Sequence, residues 1–336
     1  MVTESRPPTI HTVAERAGVS KSLVSLVLRG SPNVSEQRRR DVLCAIDELG
    51  YRPNAVARSL VTQRTSVVGV LVSDLQNPFF ADVVSGLQER ARQSSYRVIV
   101  GTGDRDAAAE RDILDAFLEL RVEGLILLSP RVSRQQIAGY GPSVPVVVVG
   151  RGDVRVRGVD TVNNDDEMGA RLVVDHLADL GHRSIAHLAG GEGAGSAERR
   201  AGYEQRMRHW HLDDHIRVVT GDFTDEGGYD AARRLLDGGD LPTAVFAAND
   251  VMAVGAMTAL EEAGLSVPGD VSIVGHDNTS IAKLRHVGLT SVNQPRLEMG
   301  RLAMDALMER VSRGRTRAKH QVLQPELIVR TTSAAP

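Results

Sequence analysis

Thr9 to Leu60 reads TIHTVAERAGVSKSLVSLVLRGSPNVSEQRRRDVLCAIDELGYRPNAVARSL, and its spacing predicts a small helical head. Ile10, Val13, Ala14 and Ala17 stand at i, i+3, i+4 and i+7, and Leu23, Val24, Val27 and Leu28 form a second apolar stripe. Helices are therefore expected over 10–17 and 21–28, each burying one face against the other. Between them Gly18 can take the left-handed conformation that ends a helix, and Ser20 can cap the next. The result is a helix-turn-helix. Lys21, Ser22, Ser25 and Leu26 stay outward near the start of its second helix, short or flexible enough to meet base edges in a major groove. Leu26 has two readings, a contact to a thymine methyl or a core position.

Ser35 is expected to cap a third helix to about Leu49, with Val42, Ile46 and Leu49 inward and Arg38, Arg39 and Arg40 outward. Tyr51-Arg52-Pro53-Asn54 then breaks the chain, because the residue before proline avoids the helical region. Asn54 can cap a short helix over 55–61 that is too short to persist unaided in water. DNA and a second copy of the chain would support it.

TVAERAGVSKSLVSLVL followed by SEQRRRDVLCAIDELGYRPNAVARSL resembles the head and hinge of the LacI–GalR family of bacterial transcription regulators, and the resemblance runs through nearly the whole chain. It implies that Leu60 enters the minor groove with its dimer mate and kinks the central step, as apolar wedges do. The expected DNA-contact set is Thr9, Lys21, Ser22, Ser25, Leu26, Arg29, Asn33, Asn54, Ala57 and Leu60. Leu26 stands where many members carry a polar base reader, and Arg29 where asparagine is frequent.

The composition fits such a regulator. Of 336 residues, 42% are apolar and 25% charged, as in ordinary globular proteins. The net charge of −3 hides an asymmetry: residues 1–66 hold ten Lys/Arg against six Asp/Glu, and the remainder 30 against 37. The basic end is the one expected to meet phosphates. The longest apolar runs, 67–72 and 144–149, fall far short of a membrane span, and MVTESRPPT lacks a signal-peptide core. A cytoplasmic protein without a membrane partner is expected. The single cysteine, Cys44, excludes an internal disulfide and reads as a small buried hydrophobe.

From Ser66 onward β-branched runs alternate with helical patterns: SVVGVLVS, YRVIVGTG, GLILLS, VPVVVVG, SIAHLAG, IRVVTGD, AVFAAND and VSIVGHD. Continuous apolar strands separated by helices predict parallel sheets covered on both faces. Eight such units exceed one small sheet. Residues 151–166 read as irregular, so two lobes are expected to meet near 160–165. The fold class is thus an all-α helix-turn-helix head (1–50), a hinge helix and linker (51–65), and a two-lobed α/β core (66–336) similar to periplasmic binding proteins. Lobe 1 is expected at about 66–161 plus 292–323, and lobe 2 at about 162–291 plus 324–332.

In open α/β sheets ligands sit beyond the carboxyl ends of the strands. Those positions carry Asn77, Phe79 and Phe80, Asp104 and Arg105, Phe223, Asn249, and Asp277 and Asn278. Aromatic faces beside carboxylates, amides and a guanidinium suit a polyhydroxyl ligand. The resemblance extends this through NPFF, SAERRAGY, AANDVMAVGAM, VGHDN and LTSVNQP, which are similar to the family's effector-contact segments. The expected effector set is Asn77, Phe79, Phe80, Asp104, Ser196, Arg199, Phe223, Asn249, Asp277 and Gln294. Phe79 and Phe80 also read as core residues, and Asn249 and Asp277 as helix caps. Gly150 stands where some sugar-binding members carry a carboxylate.

Three other patterns carry less. Gly190-Gly191-Glu192-Gly193-Ala194-Gly195 follows a strand as a dinucleotide loop would, but no third spaced glycine or later acidic residue completes it, and a rim loop over the cleft fits better. His209, His211 and His215 lie among acidic residues without cysteine, closer to a polar helix end than to a metal site. No serine stands in a nucleophile-elbow context. The expectation is a homodimeric repressor, not an enzyme and without cofactor, that binds a palindromic operator under control of a small effector, a carbohydrate or related metabolite. The alternatives are a solute-binding protein, or a corepressor-dependent regulator answering a nucleobase-like ligand.

Overall fold

The structure, a computed structural model, describes residues 8–52 and 64–336. Asn54, Ala57, Leu60 and the expected helix over 55–61 lie outside the described residues. The chain divides into two compact units at Thr65/Ser66.

The first unit contains α1 (Ile10–Arg16), α2 (Lys21–Leu28) and α3 (Glu36–Leu49). Gly18 has φ of +62°, and the N–H of Val19 reaches back to the carbonyl of Ala14 at 3.0 Å, which terminates α1 as its glycine foretold. The Ser20 hydroxyl caps α2 by accepting from the N–H of Leu23 at 3.2 Å. Ser35 occupies the cap position of α3 but makes no side-chain cap bond. Val13, Ala14, Val24, Val27, Val34, Val42 and Ala45 form the head's core. Cys44 is exposed, contrary to expectation: two residues past Val42 it is rotated about 200° round the helix, onto the opposite face. Arg38 and Arg40 point to solvent, whereas Arg39 donates to the Ser31 carbonyl at 2.6 Å and ties α3 to the preceding loop.

The second unit holds two six-stranded sheets. The first lobe contains β1 (Val67–Val72), α4 (Pro78–Gln93), β2 (Arg97–Thr102), α5 (Ala107–Glu119), β3 (Gly124–Leu128), α6 (Arg134–Tyr140), β4 (Val146–Val149) and β5 (Val159–Asn164). The second contains α7 (Asp166–Asp179), β6 (Ile185–Ala189), α8 (Ser196–His209), β7 (Arg217–Thr220), α9 (Asp225–Asp237), β8 (Ala244–Ala247), α10 (Asp250–Glu262), β9 (Ser272–Asp277) and β10 (Thr290–Asn293). The chain then returns through α11 (Arg296–Arg313) and β11 (His320–Leu323) to the first sheet, and ends in β12 (Glu326–Ile328) of the second.

The strand orders are β11-β5-β4-β3-β1-β2 and β12-β10-β9-β8-β6-β7. All described pairings are parallel except β10 with β12. Alternate residues of β1 feed different cores: Val70 and Val72 pack with α4 and α11, and Leu71 with α5 and α6. That is why the strand shows no polar alternation.

Two expected lobe boundaries move. Val162, Asn163 and Asn164 pair with β11 in the first sheet, so the first crossing falls after residue 164 and not 161. Val292 and Asn293 pair with β9 and β12 in the second sheet, so the return begins after 293. The stretch read as irregular contains β5, a buried strand with a polar sequence. Asp160 is 0% exposed because Arg315 Nη2 meets it at 2.6 Å and the Lys319 N–H at 2.8 Å. A strand made burial-tolerant by a distant arginine has no apolar signature of its own.

Candidate functional site

In each sheet the strand order reverses beside its first strand, between β1 and β3 and between β6 and β8. Outward connections diverge at such a point and leave a crevice at the carboxyl ends of the strands. The two crevices form one cleft with about 590 Å³ of open space, and Asn77, Phe79, Phe80, Arg199, Phe223, Asp277 and Gln294 of the expected set line it.

From the first lobe, Asn77 caps α4 by accepting from the N–H of Phe79 at 2.9 Å. Phe79 and Phe80 meet edge to face, with centroids 5.2 Å apart. The rings belong to the lobe's core and also line the cleft.

From the second lobe, Arg199 in the first turn of α8 reaches the centre of the cleft floor. Its Nε donates to Asp166 Oδ1 at 2.9 Å, its Nη1 to the Ala248 carbonyl at 2.5 Å, and its Nη2 lies 3.7 Å from Asp277 Oδ1. Burial alone would lower the Arg199 pKa, but Asp166 and Asp277 outweigh it and raise it above its ordinary value. Burial likewise opposes the charge on Asp277, yet the His276 hydrogen bond and the Arg199 charge hold its carboxyl below the usual range. Gln294 Nε2 donates to the same carboxylate at 2.6 Å.

Asp277 and Asn278 both have positive φ, +105° and +50°, a conformation that strains a residue with a side chain. Arg296 over-determines it, donating to the carbonyls of Asp277 and, at 2.8 Å, Asn278. The same guanidinium pairs with Asp82 of α4 at 2.9 Å, so it joins the strained strand end of one lobe to the other lobe. Behind this layer Asp250 is fully buried. Burial, then the charge on Asp277, push its pKa up to about 7 against hydrogen bonds from Ser291 and Thr279.

Phe223 explains the glycine-rich loop. Its ring lies where side chains on Gly190 and Gly193 would stand, 2.2 and 2.4 Å from their Cβ positions. It also sits 5.5 Å from the Arg199 guanidinium carbon, in cation–π range. The loop seats an aromatic ring, and Gly193 and Ala194 line the cleft beside it.

Three expected effector residues do not line the cleft. Asn249 is 0% exposed. Its Oδ1 caps α10 through the Met252 N–H at 2.8 Å and its Nδ2 donates to the Phe223 carbonyl at 3.1 Å, so it positions the aromatic from behind. Ser196 is 3% exposed at the start of α8, one turn short of Arg199, with its N–H on the Gly193 carbonyl at 3.1 Å. Asp104 is exposed and belongs to an outer rim with Gln76, Asp222 and Thr224, while its neighbour Arg105 turns into the cleft. Ser73, Asp74, Ser129, Arg131 and Asp166 line the cleft and escaped the sequence reading. The strand-end rule reaches all five once β3 is included and β5 is recognised.

In the head, Lys21, Ser22, Arg29 and Asn33 are exposed. Lys21 Nζ lies 3.2 Å from His11 Nε2, and Arg29 Nε donates to the Ser25 carbonyl at 3.2 Å. Thr9 is exposed and forms a reciprocal cap with Thr12 at the start of α1. Ser25 is half-buried. Leu26 packs against the head's core, which is the second of its two readings.

Comparison with known proteins follows the same division. A family described as bacterial regulatory proteins, lacI family, matches residues 9–54, and a periplasmic binding protein-like domain matches residues 174–333. Catabolite control protein A of Priestia megaterium is 36% identical over 89% of this chain and 91% of its own. The HTH-type transcriptional repressor PurR of Photobacterium profundum is 33% identical over 96% and 97%. Among solved structures, the lac repressor dimer bound to operator and the anti-inducer ONPF superposes with a TM-score of 0.88 at 31% identity, covering 98% of this chain and 100% of that one. The transcriptional regulator CelR in complex with cellobiose superposes with a TM-score of 0.72 at 34% identity, covering 97% and 100%.

Proposed function

We propose, from the premise that this chain belongs to the lacI family of bacterial regulatory proteins, that a small metabolite in the interlobe cleft controls its affinity for operator DNA. The chain is a DNA-binding transcription regulator with an effector-binding core and is not an enzyme. Among the described residues no helix is long and apolar enough to cross a membrane.

One observation carries the effector reading: a single cleft gathers Phe79, Phe80 and Phe223 with Arg199, Asp277 and Gln294. Apolar ring faces suit the C–H surfaces of a sugar, and the fixed carboxylate and amide suit neighbouring hydroxyls. CelR with cellobiose is a relative whose ligand has that chemistry. We assign residues 1–50 to DNA reading, 51–65 to a hinge and the remainder to effector binding and dimerisation, with two copies on a palindromic site.

Coupling between the sites is reciprocal. If the effector changes operator affinity by some factor, operator changes effector affinity by the same factor. Calorimetry with and without operator tests this, after a thermal-shift panel of sugars, polyols and nucleobases has found a ligand; saturation at 100 times the dissociation constant adds about 2.7 kcal/mol. Asp277→Asn keeps the shape and removes the charge, so effector affinity is expected to fall roughly tenfold to a hundredfold, the worth of a hydrogen bond to a charged group at about 1.5–3 kcal/mol. Unchanged effector binding in this variant would displace the site.

Lys21 and Ser22 are assigned to base reading because they are exposed at the start of α2, the end of a recognition helix that meets base edges. Lys21→Ala with Ser22→Ala is expected to relax operator discrimination, each lost good contact costing about 1–3 kcal/mol. Competition binding against mismatched operators reads this directly, and intact discrimination would show the register of the reading helix to be different.

A further inference from the structure

Three guanidinium groups line the cleft, those of Arg105, Arg131 and Arg199, and they are not equally engaged. Arg199 has two carboxylates and a carbonyl. Arg105 reaches across to the other lobe, donating to the Asp222 carbonyl and lying 3.6 Å from its Oδ2. Arg151, just behind, is occupied by Asp153 at 2.9 Å and by the carbonyls of Pro130 at 3.0 Å and Val132 at 2.7 Å. Around the Arg131 guanidinium, by contrast, no hydrogen bond or ion pair is formed with the described residues.

The loop that presents Arg131 is held firmly. Glu110 Oε2 accepts from the N–H groups of Arg131 at 2.6 Å and Val132 at 2.9 Å, and Ser133 opens α6 with a reciprocal cap through Gln136. The side chain therefore projects from a fixed backbone.

Its surroundings are mixed in charge, with Asp74, Asp166 and Asp277 on the same cleft, and partly dry. Burial, then Arg105 and Arg151, lower the Arg131 pKa against the pull of Glu110 and Glu192. The adjoining strand end offers no counter-charge: it is Gly150, with φ of +73° and Ser129 Oγ only 2.8 Å from where its Cβ would stand. Asp74 is the first-lobe carboxylate on this cleft, and its Oδ1 already accepts from the Gln76 N–H at 2.7 Å.

Resting on the reading of this cleft as the effector site, we propose that the effector carries an anionic group, a phosphate or a carboxylate, seated on Arg131 with Arg105 beside it. A planar guanidinium donates two parallel hydrogen bonds to either group, and Ser129 supplies a hydroxyl at the same corner. The polyol end of the ligand then meets Phe223, Asp277 and Gln294 across the cleft. Arg105 makes the contact responsive, because an anion competes with Asp222 for the guanidinium that now joins the lobes.

The full-length chain and its Arg131→Gln variant, both checked by circular dichroism, are titrated with inorganic phosphate and with acetate in thermal-shift experiments. At least one anion is expected to raise the melting temperature of the unaltered chain at millimolar concentration, with little or no rise in the variant. Calorimetry then compares glucose with glucose 6-phosphate and glucuronate. Preference for the anionic sugars of tenfold or more, collapsing to near unity in Arg131→Gln, supports the proposal, and whichever anionic sugar binds tighter separates phosphate from carboxylate. Equal stabilisation of both proteins by the anions, or a preference for glucose, overturns it. Glucose binding that Asp277→Asn abolishes would leave the cleft as effector site and remove only the anion, whereas anion binding lost in Arg131→Gln but untouched by Asp277→Asn would keep the seat and move the polyol end.

Discussion

Arg199→Met is expected to lower the unfolding free energy of the effector-binding core by about 3–5 kcal/mol, the usual cost of removing one partner from a buried ion pair, and to abolish effector binding. The Arg199 side chain is 7% exposed, and those of Asp166 and Asp277 are 12% and 4%. Methionine fills much of the space but leaves two carboxylates facing each other's field in a dry site. Against burial, the His276 hydrogen bond and the Arg199 charge hold the Asp277 pKa below the usual range. A depressed carboxylate contributes stability that is present above its unfolded pKa and lost as pH falls through the folded value. Without Arg199 that contribution shrinks, so the deficit should be widest near neutral pH and narrow as pH falls towards the ordinary aspartate range. Urea denaturation across pH measures this. Arg199→Lys separates charge from geometry, since an ammonium keeps the charge but cannot reach Asp166, Asp277 and the Ala248 carbonyl as a fork does. A deficit below about 1 kcal/mol with effector binding intact would refute the assignment of Arg199 as the electrostatic centre of the cleft.

The second large effect is steric. Gly86 in α4 and Gly300 in α11 meet where the two helices cross. A Cβ on Gly86 would stand 2.1 Å from the Leu297 carbonyl oxygen, and one on Gly300 would stand 2.1 Å from that of Val83. Both obstacles are backbone, so the helices themselves must separate. Gly86→Ala and Gly300→Ala are each expected to destabilise by about 3 kcal/mol, the upper part of the range for overpacking. Gly139→Ala in α6 is the control: nothing lies within 4 Å of its Cβ position, and alanine there should stabilise by about 0.5–1 kcal/mol through helix propensity. Denaturation midpoints with unchanged slopes give the comparison. Equal midpoints for the three variants would mean that the crossing can relax without loss. The crossing also serves the cleft, because α11 begins with Arg296, whose guanidinium joins Asp82 of α4 to the strained carbonyls of Asp277 and Asn278.

Sequence by itself determined the elements whose causes are local. The spacing of Val13, Ala14, Val24 and Val27, with Gly18 between the helices, carried the helix-turn-helix, because helical period and a left-handed glycine act over a few residues. Continuous apolar strands placed Phe79, Phe223 and Asp277 at carboxyl ends, where parallel sheets open a crevice. The tertiary structure alone decided where a residue's partner comes from far along the chain. β5 is a strand because Arg315, 155 residues beyond Asp160, neutralises that carboxylate inside the sheet. Asn249 faces the Phe223 carbonyl and not the cleft because a helix cap and a backbone acceptor both claim its amide. The glycines at 190 and 193 have their reason in a phenylalanine more than two dozen residues away, and Arg131 lines the cleft without a hydrogen bond or ion pair to the described residues. Periodicity and capping are set by neighbours in the chain, whereas burial of a charge, the seat of a ring and the absence of a counter-ion are set by neighbours in space.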